Sequence, residues 1–163
     1  MRKQKGFSLI ELLIVVAIIL IIAAIAIPNL LRSRIAANES SAVGSIRTIN
    51  TAQVTYSSTY PNVGFAVTLP PLGGAAAACG VGATSTAACL IDDVLALGQK
   101  SGYLFAVGGG SATVPEVTYN VTGAPVNVGQ TGQRSFCSDQ SGVIRFHASG
   151  AAATCLTAGT PLQ

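Results

Sequence analysis

Charged and aromatic side chains are scarce in this chain, and their scarcity narrows the functions it can serve. Of its 163 residues 9% are charged and 6% aromatic, none is tryptophan and one is histidine, His147. No basic cluster follows Arg34, so nothing in the sequence favours a nucleic-acid-binding surface. With so few candidates for catalytic groups, we predict that the chain is not an enzyme and holds no cofactor.

The few residues that resemble a catalytic or metal site have simpler explanations. His147 has Ser149 and Asp139 nearby in sequence, but a hydrolytic triad is recognised by geometry, and a half-exposed histidine on a strand is the ordinary reading. Asp92 and Asp93 are a weak calcium candidate, because such sites need six or more oxygen ligands. We therefore predict no metal site.

Four cysteines indicate two disulfides in an exported chain. Zinc ligands usually come as close pairs separated by two to four residues, and no such pair is present. Four cysteines allow three connectivities, of which we favour Cys79 with Cys89 and Cys137 with Cys155. The first pair would close a loop, and the second would tie the C-terminal tail to a strand. Buried free thiols are the alternative.

Long apolar runs, by contrast, are present, and the longest organises the chain. Residues 12–27 are sixteen consecutive apolar residues inside a hydrophobic segment, 7–31, of 25 residues. As a helix this segment would extend about 37 Å, enough to cross a hydrocarbon core of about 30 Å. Arg2, Lys3 and Lys5 precede it and account for the whole formal charge of +3. Such cations are typical of a segment whose N-terminus stays in the cytoplasm while the rest is exported.

A single carboxylate, Glu11, lies within this apolar segment. A charged side chain in lipid costs about 3 kcal/mol or more, so an acid there is a functional candidate. If the chain were cut after Gly6, the new amino group on Phe7 would be a cation four residues away, on the same helix face. Glu11 would then pair with that amine in its own chain or in a neighbouring copy. Alternatively, Glu11 lies near the lipid headgroups and extends to them.

These residues carry a resemblance to a known family. The stretch KGFSLIELLIVVAIILIIAAIAIP resembles the leader and N-terminal segment of type IV pilins and of type II secretion pseudopilins. The resemblance covers roughly residues 1–60 and includes Gly6, Phe7, Glu11 and Pro28. It implies that a prepilin peptidase cuts between Gly6 and Phe7 and methylates the Phe7 amine. It also implies that Glu11 pairs with the N-terminus of an adjacent subunit.

The rest of the chain predicts an α+β fold. Residues 7–57 are expected to form one helix, whose second part is amphipathic, before a break at Tyr60-Pro61-Asn62. The face predicted to be buried consists of Ile35, Ala42, Val43, Ile46, Ile49, Gln53 and Tyr56. A loop follows, then a short helix at 90–97 ended by Gly98, and a flexible turn at 108–110.

Short strands are predicted at 103–107, 117–121, 134–138 and 143–147, and their short links indicate an antiparallel meander that covers the exported half of the helix. The resemblance implies the same arrangement, a type IV pilin-like fold. We divide the chain into a leader (1–6), an assembly and transmembrane half-helix (7–31), an amphipathic half-helix (32–58), an αβ loop (59–100) and a sheet with a disulfide region (101–163).

The expected function is that of a structural subunit. The resemblance implies a pilin that waits in the inner membrane and joins a helical, extracellular homo-oligomeric filament, with the prepilin peptidase and an assembly machinery as partners. A type II secretion pseudopilin is the alternative, although major pseudopilins typically carry an acidic calcium loop and no disulfide. A membrane-tethered periplasmic module that never polymerises is a third possibility.

Overall fold

The structure of the chain is a computed structural model, and it describes residues 7–74, 79–109 and 114–162. The chain divides into two units, residues 1–34 and 35–163. Helix α1, Leu9–Thr59, begins in the first unit and ends in the second. Pro28 lies inside it and does not end it, although a proline removes one backbone hydrogen bond from a helix.

The described residues of the second unit include two further helices and a six-stranded sheet. A 3-10 turn at Pro70–Leu72 precedes helix α2, Asp93–Ala96, and α3 is Ala152–Ala158 near the C-terminus. The strands are β1 Gln99–Lys100, β2 Tyr103–Gly109, β3 Tyr119–Pro125, β4 Ser135–Asp139, β5 Arg145–His147 and β6 Thr160–Pro161. Every neighbouring pair is antiparallel and the spatial order follows the chain, β1 to β6. The predicted α+β fold with an antiparallel meander is confirmed.

The core lies between residues 35–59 of α1 and one face of the sheet. Residues predicted for the buried helix face are buried or half-buried, and the opposite face is mostly exposed. The core members from the helix and the strands are Ala42, Ile46, Ile49, Ala52, Tyr56, Tyr103, Phe105, Tyr119, Val121 and Phe136. Gln53 is fully buried here, because its amide exchanges two hydrogen bonds with the backbone of Ala66, at 2.8 and 2.9 Å.

Strand β4 is covered on both faces. Phe136 belongs to the core under α1, and the next residue, Cys137, is disulfide-bonded to Cys155 on α3. Since successive side chains of a strand point to opposite faces, α1 and α3 cover opposite faces of β4. The C-terminal tail was expected to be tied to a strand, and the tied part is a helix that the sequence analysis did not predict.

Two local predictions were wrong in extent. The helix predicted at 90–97 shrinks to Asp93–Ala96, because Asp92 has an extended backbone and its side chain caps the helix by accepting the Leu95 N–H at 3.0 Å. The flexible turn predicted at 108–110 is strand β2 as far as Gly109. Gly110 lies outside the described residues. A Cβ on Gly109 would come within 2.6 Å of Val67, so this glycine allows a close approach within the sheet region.

Candidate functional site

The Glu11 carboxylate lies at the first turn of α1 and caps it. The Ser8 N–H donates to Glu11 Oε2 at 2.9 Å, and the Leu12 N–H donates to the Ser8 carbonyl at 3.2 Å. Ser8 is thus the residue before the helix, and Glu11 is the third residue within it. A glutamate at this position that bonds back to the preceding N–H is one half of a capping box. The sequence analysis missed this role, although the signal S-x-x-E was present at residues 8–11.

The surroundings of Glu11 are apolar and exposed. Phe7 is 80% exposed and Leu9 75%, and in the most apolar 18-residue window of α1, with a mean hydropathy of 3.3, no residue is buried. In the described part of the chain one helix, α1, is long and apolar enough to cross a membrane. Glu11 forms no ion pair with any residue in the described ranges. Gly6 and the cations Arg2, Lys3 and Lys5 lie outside those ranges.

A second acid, Glu39, is a polar centre that the sequence analysis missed. Its Oε1 accepts the N–H groups of Gln133 and Arg134 at 2.9 and 3.1 Å, and its Oε2 accepts Arg134 Nε and Nη2 at 2.9 and 2.7 Å. Burial opposes ionisation of this carboxyl, but the hydrogen bonds and the guanidinium outweigh it and hold the pKa of Glu39 below its ordinary value. Each oxygen of the Glu39 carboxylate thus accepts two hydrogen bonds from within the fold. The role of Glu39 is therefore structural.

The structure contains both of the favoured disulfides. Cys79 and Cys89 close a loop of sequence separation 10, and Cys137 and Cys155 are 18 residues apart. Cys137 and Cys155 are buried, whereas Cys79 and Cys89 are half-buried. The two pairs therefore hold different regions: the first holds a surface loop, and the second holds α3 against the sheet.

The remaining candidate residues have local structural roles. His147 is half-buried and its Nδ1 lies 2.8 Å from Ser149 Oγ, while Asp139 pairs instead with Arg145 at 3.2 Å. The structure therefore does not bring the three together as a triad. Asp92 caps α2 and pairs with Lys100 at 2.8 Å. In the part of the chain that the structure describes, no three metal-ligating side chains cluster.

Comparison with known proteins places the N-terminal segment in a defined class. Residues 1–27 match the family described as the prokaryotic N-terminal methylation motif. The chain carries this motif. Glu11 and the first turn of α1 therefore lie within the methylation motif, together with the start of the exposed apolar helix surface.

Three relatives are similar to the chain over 40 to 64 residues, which is 24 to 37% of its length. It is 65% identical over 40 residues to the type IV wide pilus major component PilA4 of Thermus thermophilus, which is 24% of this chain and 30% of that protein. It is 46% identical over 54 residues to the type IV major pilin protein PilA of Myxococcus xanthus, 33% of this chain and 24% of that protein.

A third relative comes from a secretion system. The chain is 41% identical over 64 residues to the type II secretion system core protein G of Vibrio cholerae, which is 37% of this chain and 44% of that protein. The matched segment thus spans less than half of each of these three relatives. No solved structure matches the chain significantly.

Proposed function

We propose that this chain is a structural subunit, a pilin, of a type IV pilus filament. The observation that carries the proposal is the exposed apolar helix of the methylation motif, with one carboxylate in its first turn. Two of the similar proteins named above are a type IV wide pilus major component and a type IV major pilin, which supports the proposal.

Before assembly, the first part of α1 is held in the inner membrane. Its apolar surface has no buried residue in the most hydrophobic window, so it needs an apolar environment from outside the chain. Arg2, Lys3 and Lys5 keep the N-terminus in the cytoplasm, and the unit that contains the sheet is exported. The disulfides fit an oxidising compartment.

The prepilin peptidase then cuts between Gly6 and Phe7 and methylates the new amine. The Glu11 carboxylate is already directed at the N–H of Ser8, the residue next to the proposed N-terminus. The amine of Phe7 in an adjacent subunit would supply the cation that Glu11 lacks among the described residues. An unpaired carboxylate or amine in an apolar environment costs several kcal/mol, and pairing Glu11 with the Phe7 amine removes much of that cost.

Assembly moves the helix from lipid into a bundle of identical helices in the filament. Since both environments are apolar, the transfer itself contributes little, and specificity comes from side-chain packing and from the Glu11–amine pair. Contacts between different surfaces of identical subunits do not close, and such contacts generate helical filaments.

A pseudopilin of a type II secretion system is the second candidate function, and the match to core protein G favours it. The two disulfides favour the pilin. Deleting the gene separates the two: loss of surface filaments with normal protein export supports the pilin, and loss of export supports the pseudopilin.

The test of the proposed function is made on the mature chain. We expect filaments sheared from cells to contain this subunit, with an N-terminal peptide that begins at a methylated Phe7 in mass spectrometry. The Gly6→Ala variant should retain its leader and remain in the membrane. A wild-type chain that keeps Met1, or that never enters filaments, would contradict the proposal.

A further inference from the structure

Among the exposed charges in the described part of residues 35–163, two of opposite sign take part in no ion pair. The ion pairs there are Asp92–Lys100, Glu39–Arg134 and Asp139–Arg145. Arg47 on α1 and Asp93 on α2 are both exposed, and neither has an ion-pair partner in the described part of the chain.

These two residues lie beside different strands of the sheet. Asp93 begins α2, and the neighbouring Asp92 is paired with Lys100 on the edge strand β1. Arg47 lines a groove together with Leu162, which directly follows the other edge strand, β6. The same groove includes Phe136 on the inner strand β4, so strands β2 and β3 lie between β4 and β1, and Asp93 and Arg47 of one copy belong to different parts of the sheet.

Exposed apolar side chains lie next to Asp93, and a groove lies next to Arg47. Next to Asp93, Val94 is 55% exposed and Leu97 is 87% exposed, so α2 presents an apolar projection. We call Asp93, Val94 and Leu97 the α2 projection.

The surface beside Arg47 is concave. It is a groove of about 540 Å³ whose walls include Val43, Gly44, Phe136 and Leu162. We call it the Arg47 groove. Arg134 also lines it, but its charge is already paired with Glu39, so the charge left for a partner is that of Arg47.

Gly44 adds an independent observation. Glycine in the interior of a helix is unfavourable relative to alanine, and it is usually kept where something approaches closely. A Cβ on Gly44 would meet no atom within 4 Å, so no contact inside the described chain explains this glycine. The absence of a side chain at Gly44 leaves this wall of the Arg47 groove open.

We infer that the Arg47 groove receives the α2 projection of a second copy of this chain, with Asp93 of one copy paired with Arg47 of the next. The contact joins two different surfaces, so a pair of copies still presents one free groove and one free projection, and further copies can add at either end. The inference rests on the proposed function, because it specifies which surfaces of the exported units meet along the filament.

A charge exchange tests the pairing in cells that make the full chain. We expect Arg47→Asp and Asp93→Arg each to lower the yield of sheared filaments about tenfold, because like charges then face each other. The variant that carries both changes should regain most of the wild-type yield. Matched controls are Gln130→Asp and Gln140→Arg, which place the same charges at exposed positions outside both surfaces and should leave the yield unchanged.

Two further variants test the shape of the contact and its direction. Gly44→Ala should leave filaments intact, and Gly44→Leu should abolish them while the chain stays folded, since the position has room for a side chain. The variant with Gly44→Cys and Leu97→Cys should give a cross-linked ladder of dimers, trimers and longer species on oxidation of filaments. Each single cysteine should give only monomers.

Several results would overturn this inference while the proposed function stands. They are wild-type yields from both single charge variants, a double variant no better than the singles, or dimers from Leu97→Cys alone, which would indicate a symmetric contact. Full assembly of Gly44→Leu would likewise show that the groove is empty or holds another partner. If the wild-type chain forms no filaments, the proposed function itself fails and this inference fails with it.

Discussion

The Glu39 carboxylate on α1 accepts hydrogen bonds from both the guanidinium and the backbone N–H of Arg134, a residue 95 positions further along the chain. The Glu39 residue is 7% exposed, and the Arg134 guanidinium also lies over the rings of Phe136 and Phe146 at 5.5 and 5.2 Å. Charge-assisted bonds of this kind are the stronger ones in proteins. The pair therefore joins the helix to the segment that leads into β4.

Removing the Glu39 carboxylate should destabilise the second unit. We expect Glu39→Ala to lower the free energy of unfolding by about 3 kcal/mol, because two backbone N–H groups and a guanidinium lose their acceptor. The measurement is denaturant unfolding of the full chain in detergent, followed by circular dichroism. The exposed pair of Asp92 and Lys100 is the matched control, and Asp92→Asn, which can still cap α2, should cost less than about 1 kcal/mol. Equal losses from the two variants would contradict this assignment.

Stability should fall in acid because of the same carboxylate. The pKa of Glu39 is lower in the folded chain than its ordinary value of 4.5, so its contribution is fully present above about pH 4.5 and is lost as the pH falls through the lower folded pKa. The lowered pKa values of Asp92 and Asp139 act in the same direction. Melting temperatures from pH 7 to pH 2 should decline below pH 4.5, and Glu39→Gln should flatten that decline. A variant profile parallel to the wild type would assign the acid sensitivity to other groups.

The two disulfides should differ in what their removal costs. Chain-entropy arguments give about 2.7 kcal/mol for the Cys79–Cys89 loop and about 3.2 kcal/mol for the Cys137–Cys155 loop. Replacing the second pair by serine also leaves two hydroxyls in a buried position, which adds a further cost of about 1 kcal/mol or more. We expect the Cys137→Ser, Cys155→Ser variant to melt at a lower temperature than the Cys79→Ser, Cys89→Ser variant. The opposite order would show that the surface loop matters more than the attachment of α3.

The charge on Glu11, rather than its capping role, should decide assembly. Loss of a helix cap costs about 1 kcal/mol, too little to prevent a 51-residue helix from forming. Glu11→Gln keeps an oxygen for the Ser8 N–H but removes the charge, and we expect both Glu11→Gln and Glu11→Ala to abolish filaments. Membrane fractionation and mass spectrometry should find both variants inserted and cleaved. Normal filaments from Glu11→Gln would remove the proposed pairing with the amine of a neighbour.

The sequence predicted the elements with strong periodicity and missed those fixed by single contacts. Helix α1 and the meander follow from apolar spacing, and the helix face around Ile46 is buried as predicted. The short helix α2 begins late because one side chain, Asp92, caps it. The role of Glu39 depends on Arg134, 95 residues away, and no local pattern reveals a partner at that distance. The S-x-x-E signal at Ser8 was readable but was overlooked beside the apolar run.

The order of the strands has a consequence for how the unit formed by residues 35–163 folds. In a meander every strand pairs with the strand that precedes it, so the sheet itself has a low contact order and can form quickly once its residues are available. The ion pair that joins α1 to the sheet region is different, because it needs Arg134, which is 95 residues further along the chain than Glu39. The part of α1 around Glu39 is therefore completed only when residue 134 of 163 has been made, after β2 and β3, whose side chains cover the rest of the helix face.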